Sequence, residues 1–528
     1  MTKNLNETLR APFSPELQEL RSHLVTLVPL LEKQPNWYGS VYFEKKSGKS
    51  YVVDFKKSNV TDQLSMGVVL RIYDGYTLYE QATDNLSFDA LTKCAHQLVK
   101  RVESASNNSD PKYYQPPTWG DRLNRNFEDE ILCQIPSTVD KNTEVHFGVR
   151  YKIDPRIVTS EERFKKLKLT LDKIKELAPK NNLSNEELTY AIVREGFHQE
   201  ESIFIDRESN LSQTLYRCAI SCVAMTGGDR NYLRNGGLGG LEATEVKDEE
   251  INTLLKDLSG IKNATRMNPG KYRVLFSPGL TGVLAHEAFG HSQEGDTCAK
   301  GRSKAWELYR SKEKVGNEHA TILNNPAIYH NGAHDYTAWG SYFFDEEGWL
   351  AQEQILLNKG VLQRPMTHLT SSIRLGVPRT ANGKRESWSH GVYTRQTNTY
   401  FSAGTQTYDE LIEQIDDGFL VTQCAGGMED PKGMGIQVGM LFLKEVKNGK
   451  VTGKYFRGPA GGDIQMTGYT PDVLTSIIGK SKIEFNSKNP DSAKHPENDC
   501  GGCGKYHKEV VVAGCGGPYL LLDQIILG

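Results

Sequence analysis

Long apolar runs are missing from this chain. No uninterrupted stretch approaches the ~18 residues a membrane-spanning helix needs, so no helical span is predicted. Met1 to Glu19 contains no apolar h-region, which argues against a secretory signal peptide. A dominant charge is also missing. With 63 Lys+Arg against 66 Asp+Glu, the formal net charge is -3. That balance gives no electrostatic reason to expect nucleic acid or an anionic membrane as partner. Paired cysteines are the third absence. Nine thiols, an odd number, lie scattered, mostly in apolar surroundings such as Ile131-Leu132-Cys133 and Cys218-Ala219-Ile220. This is a reduced pattern and not a disulfide framework. A water-soluble, cytoplasmic protein is therefore expected. Nucleotide motifs are absent too. Thr226 to Gly240 is rich in glycine, but it has neither the order of a P-loop nor a strand–G-x-G-x-x-G–helix context.

What is present is enough chain for two or more domains, 528 residues of which 38% are hydrophobic. Leu17, Leu20, Leu24, Leu27 and Leu31 recur at helical spacing. Trp37 to Asp54 and Gly67 to Tyr79 read as antiparallel strands, with turns at Ser47-Gly48 and Asp74-Gly75. Helices are predicted over Ser87–Val102, Ser160–Leu177, Ser184–Glu195 and Lys247–Leu258, and strands at Glu201–Ile205 and Leu215–Met225. Met267-Asn268-Pro269-Gly270 is a natural boundary, so domains are expected over residues 1–268 and 269–528. Beyond it, short strands punctuated by glycine predict a mostly β domain.

The chemistry concentrates in Val283-Leu284-Ala285-His286-Glu287-Ala288-Phe289-Gly290-His291-Ser292-Gln293-Glu294-Gly295-Asp296. Two imidazoles with a carboxylate beside the first make a metal-hydrolase constellation. The spacing is unusual. Residues five apart on an α-helix diverge by roughly 140°, so both rings reach one ion only if the helix ends, bends or bulges between them. Gly290 is a residue that permits this. Val274-Leu275-Phe276 reads as a buried strand, Ser277-Pro278-Gly279 as a turn, and Thr281 as the N-cap of a helix starting near Gly282. Glu294 and Asp296 are candidates to orient the ring nitrogens. Two ligands need a third from elsewhere. Far downstream, Cys500-Gly501-Gly502-Cys503 is a C-x-x-C, read on its own as a redox pair, a metal site or a structural element.

His286-Glu287-Ala288-x-Gly290-His291-x-x-Glu294-x-Asp296 resembles the signature of the TldD/PmbA family of metallopeptidases, in its metal-bearing TldD branch. Thr380-Ala381-Asn382-Gly383-Lys384-Arg385-Glu386-Ser387 is similar to the family's T-G-N-A-R-R-x-S. Thr397-Asn398-Thr399-Tyr400 is similar to its M-T-N-T-Y, and Ala425-Gly426-Gly427-x-x-Asp430 to its G-G-G-x-x-D. Cys503-Gly504-Lys505 falls where the family carries C-G-K, although Tyr506-His507-Lys508 then departs from the usual continuation. The resemblance implies an α+β fold, an N-terminal sheet-and-helix domain followed by a mostly β domain carrying the site. It implies Zn²⁺ held by His286, His291 and Cys503, with Glu287 as general base for a metal-activated water. It further implies unfolded or flexible polypeptide as substrate, and a homodimer or a heterodimer with a PmbA-like chain. Two alternatives remain at this stage: hydrolysis of a non-peptide amide or ester at the same site, and a non-catalytic partner-binding subunit.

Overall fold

A computed structural model describes residues 9–105, 112–329, 338–482, 501–505 and 508–528. The architecture is α+β. Its N-terminal half is built on a seven-stranded sheet whose long central strands are Tyr38–Asp54, Ser58–Tyr73, Tyr190–Asp206 and Asn210–Met225. Alternation divides these strands between two faces. Val41, Phe43, Leu70 and Ile203 point to the helices Gln18–Leu31 and Phe88–Ala105. Ala191, Val193 and Cys222 point to Ser160–Leu177 and Asp248–Lys262. Tyr42, Val69, Phe204 and Tyr216 face the other way and pack with Tyr342, Phe343 and Phe344 of the C-terminal half. Each large apolar side chain buried in this way contributes about 1.5–3 kcal/mol.

Three expectations need correction here. Ser184–Glu195 is not a helix. A turn, in which Glu187 N–H donates to the Ser184 carbonyl, leads into the strand Tyr190–Asp206. Ile192 and Val193 pair there with strands on both sides, and this pairing overrides any local helical preference. Ser47-Gly48 is not a turn but lies inside Tyr38–Asp54. A Cβ on Gly48 would lie 2.6 Å from the Phe197 carbonyl oxygen, so glycine serves close strand approach and not reversal. The second strand also begins at Ser58, ahead of the expected Gly67, because its polar first half is exposed and carries no apolar alternation. The expected Asp74-Gly75 turn is present, with Gly75 at φ +95° and Asp74 N–H donating to the Thr77 carbonyl.

The C-terminal half contains a ten-stranded and a six-stranded sheet. Val274, Leu275 and Phe276 are the buried end of a strand, Gly270–Phe276, lying between Gly418–Val421 and Leu520–Leu527. The chain leaves it into the helix Pro278–Ala285. Leu280, Leu284 and Ala285 pack there with Val438 and Leu520 from the larger sheet and with Leu356 and Phe401 from the smaller. Gly282 is forced by this sandwiching, since a Cβ would lie 2.2 Å from the Gly516 nitrogen. Among the described residues no helix is long and apolar enough to cross a membrane.

Candidate metal centre

The helix carrying the motif starts earlier than expected. Ser277 is its N-cap and Pro278 its first residue, a position where proline's fixed φ and missing N–H cost nothing. Thr281 is therefore a buried interior residue whose N–H donates to the Ser277 carbonyl. The α-helix gives way at Ala285 to a single π-turn, His286–Gly290, in which the His291 N–H donates to the His286 carbonyl. An i→i+5 turn contains one residue more than an α-turn, so it returns a side chain five positions on to the same face. This resolves the five-residue spacing. The two rings lie edge to face with centroids 4.8 Å apart. Gly290 itself keeps ordinary helical dihedrals, φ -67° and ψ -68°. Its need for glycine is spatial, because a Cβ would lie 2.1 Å from Gln396 Oε1.

Cys503 arrives from another sheet. It lies on Gly501–Lys505, which pairs with Lys508–Gly516, itself parallel to Asn398–Phe401. The Cys503 Sγ lies 3.0 Å from His286 Nε2 and 3.2 Å from His291 Nε2. Arg395 Nη2 donates to the same sulfur at 2.8 Å. Burial alone would raise the thiol, but the charges of His291, His286 and Arg395 hold it well below its ordinary range. His291 is in turn carried well above the usual imidazole range, burial being outweighed by Cys503 and Glu294. Among the described residues His286, His291 and Cys503 form one of two groups whose donor atoms lie within 4.8 Å of one another. Two imidazoles and a thiolate are a donor set that suits Zn²⁺ and leaves a fourth position open. Cys500 lies outside the described residues, as do Tyr506 and His507.

Glu287 is buried beside the rings, and Gly427 leaves room for it. The other group of close donors is Glu287, His291 and Glu429, and Glu429 reaches the site from the strand Cys424–Asp430. Burial pushes the Glu287 carboxyl up to about 7; the two His rings oppose the rise and Glu429 adds to it. A Cβ on Gly427 would lie 2.6 Å from Glu287 Cγ. Gly427→Ala is therefore expected to displace the carboxylate by up to an ångström and cut hydrolysis by roughly 10²-fold while metal content stays unchanged. Parallel metal analysis and rate measurement on the variant check this.

Glu294 faces His291 Nδ1 at 3.5 Å, long for a hydrogen bond. Arg395 Nε and Lys505 Nζ both reach its carboxylate at 3.0 Å. Burial opposes ionisation, yet Lys505, Arg395 and His291 hold Glu294 well below the usual carboxylate range. Asp296, expected to orient a ring, instead accepts from Lys505 at 3.2 Å. The reason is local. The short helix Gly295–Ala299 turns its side chain from the rings toward the strand carrying Cys503. Glu429, Arg395, Gln396 and Lys505 had no assigned role in the sequence. Three of them lie within or beside the quoted family segments, which was the available signal.

Residues 269–527 match the model of the PmbA/TldA metallopeptidase C-terminal domain. A metalloprotease of Methanocaldococcus jannaschii is 27% identical over 363 residues, covering 67% of this chain and 74% of the relative. A zinc metalloprotease TldD homolog of Saccharolobus solfataricus is 27% identical over 286 residues, covering 53% of this chain and 57% of the relative. The fold superposes on the crystal structure of TldE from Thermococcus kodakarensis with a TM-score of 0.64 and 12% identity, over 96% of this chain and 100% of that one. By the family model and the relatives that share it, residues 269–527 form a C-terminal domain of the TldD/PmbA metallopeptidase type.

Proposed function

We propose that this chain is a zinc-dependent metallopeptidase that cleaves unfolded or flexible polypeptides. The observation that carries the reading is the meeting of His286 Nε2, His291 Nε2 and Cys503 Sγ, from segments more than 200 residues apart, beside the buried carboxylate of Glu287. These three residues would hold the metal. Zinc so held supplies Lewis acidity toward a scissile carbonyl and toward water. Glu287 accepts a proton from the attacking water on its carboxylate and passes it to the leaving amine nitrogen. Arg395 keeps the thiol ionised and fixes its direction by a charge-assisted hydrogen bond. Glu294, clamped by Arg395 and Lys505, backs the His291 ring.

An extended substrate is supported by the strand Cys424–Asp430, the last in its sheet among the described residues. Ala425, Gly426, Gly427 and Met428 are exposed on it, and Gly427 touches Glu287. A peptide added along such an edge is read through its main chain, so cleavage is broad in sequence and confined to unstructured chain. A dimer, with a second copy or with a PmbA-like chain, completes the reading on family resemblance.

The test is mass spectrometry of products from an unstructured peptide, a tightly folded protein and a small ester, with and without chelator. Chelator-sensitive cleavage of the peptide alone is expected. Efficient digestion of the folded protein would sink the extended-substrate reading, and ester hydrolysis without peptide cleavage would sink the peptidase. A pH profile adds a second check. Glu287 works as a base only when ionised, so rates fall as pH drops through its pKa. Glu429→Gln removes a group that raises that pKa, and the acid limb should move to lower pH. A limb that stays in place would remove Glu429 from the account.

A further inference from the structure

The π-turn needs an explanation of its own. Within an α-helix the His286 carbonyl would accept from residue 290, and a return to that register would rotate His291 away by roughly 100°. Something must favour the longer turn, and Gln396 is placed to do so. Its side chain is fully buried. Nε2 donates at 3.3 Å to the His286 carbonyl, the same oxygen that accepts the His291 N–H closing the turn. The amide is held in that orientation by the Thr399 hydroxyl, which donates to Gln396 Oε1 at 2.8 Å. The backbone beneath is anchored as well, since the Thr397 N–H donates to Asn324 Oδ1 at 2.8 Å. The amide also lies flat against residue 290, where a Cβ would stand 2.1 Å from Oε1, 2.8 Å from Cδ and 3.0 Å from Nε2.

We infer that Gln396 is a positioning residue. It locks the His286–His291 turn in its five-residue form, and residue 290 is glycine to let its amide in. The inference rests on the zinc reading above for its consequence but not for its geometry. Outer partners that orient ligands commonly account for 10–100-fold in metal affinity, which sets the scale.

The experiment uses the full chain and the variants Gln396→Met, Gly290→Ala and Gly290→Ala/Gln396→Ala. Zinc affinity is read by competition with a chromophoric chelator. Hydrogen exchange across residues 286–291 is read in the metal-free proteins. Met keeps the length of Gln without its donor, so Gln396→Met should weaken zinc by roughly 10–100-fold. It should also speed exchange in the turn, with the melting temperature of the metal-free chain nearly unchanged. Gly290→Ala should weaken zinc as much or more. The double variant, freed of the clash, should bind more tightly than Gly290→Ala. Unchanged exchange in Gln396→Met overturns the inference, as does a double variant that binds zinc no more tightly than Gly290→Ala. A wild-type chain that binds no zinc would instead count against the functional reading, and the exchange data would still decide the role of Gln396.

Discussion

Cys503→Ala should strip the protein of zinc. Removing an outer partner costs roughly 10–100-fold in affinity, and removing one of three ligands should cost more. A second effect adds to the first. Arg395 lies fully buried with Nη2 2.8 Å from the Cys503 sulfur, so the variant leaves a guanidinium facing the cation site without the thiolate that balanced it. Two imidazoles are thereby asked to hold a dication beside a guanidinium that keeps Glu294 but has lost the thiolate. Cys503→Ser should fall between wild type and alanine, because a neutral hydroxyl is a poor substitute for a thiolate. Cys500→Ala is expected to leave metal and cleavage nearly intact and to reduce sensitivity to oxidation, since it removes a partner for a disulfide in the metal-free chain. Metal analysis after gentle purification distinguishes these variants. Zinc retained in Cys503→Ala and lost in Cys500→Ala would transfer the ligand role to Cys500.

Glu287→Gln separates holding the metal from using it. Gln matches the carboxylate in shape, and its amide can donate to Glu429 where the acid shared a hydrogen bond, so the packing against Gly427 is preserved. The three proposed ligand atoms are untouched. Zinc should stay at wild-type content while cleavage drops by roughly 10²-fold or more, the usual cost of losing a general base. Stopped assays at matched metal content provide the comparison. Loss of zinc in Glu287→Gln together with retention in His291→Ala would reverse the assigned roles.

Much of this site was legible because its central pieces are local. A buried strand, a helix following it and two histidines within six residues are properties of one segment, and the five-residue spacing already required a deformed helix, although the helix starts at Pro278 and not near Gly282. The nature of the deformation was not legible. Whether a helix ends, kinks or bulges at Gly290 depends on Gln396, over 100 residues away, and on the volume its amide takes beside residue 290. Glu429 was hidden for the same reason, since the pairing that brings Cys424–Asp430 beside the helix is a property of the sheet and not of its sequence neighbours. The N-terminal errors share this origin. Ser184–Glu195 was assigned without the strands that flank it, and Gly48 was taken for a turn because the Phe197 carbonyl that crowds it comes from another strand. Long amphipathic helices with their own caps fared best. Ser160–Leu177 has the predicted bounds, with Thr159 and Glu162 forming a reciprocal cap.

The most direct test measures zinc and peptide cleavage on the same preparation. The purified chain should hold one zinc per chain, because the mixed nitrogen and sulfur donors disfavour the oxygen-seeking Mg²⁺ and Ca²⁺. Chelation should abolish cleavage of an unstructured peptide, and added zinc should restore it in proportion to occupancy up to one equivalent. Cleavage that persists after the metal is removed, or one zinc per chain with no cleavage of any unfolded peptide at any occupancy, would contradict the account.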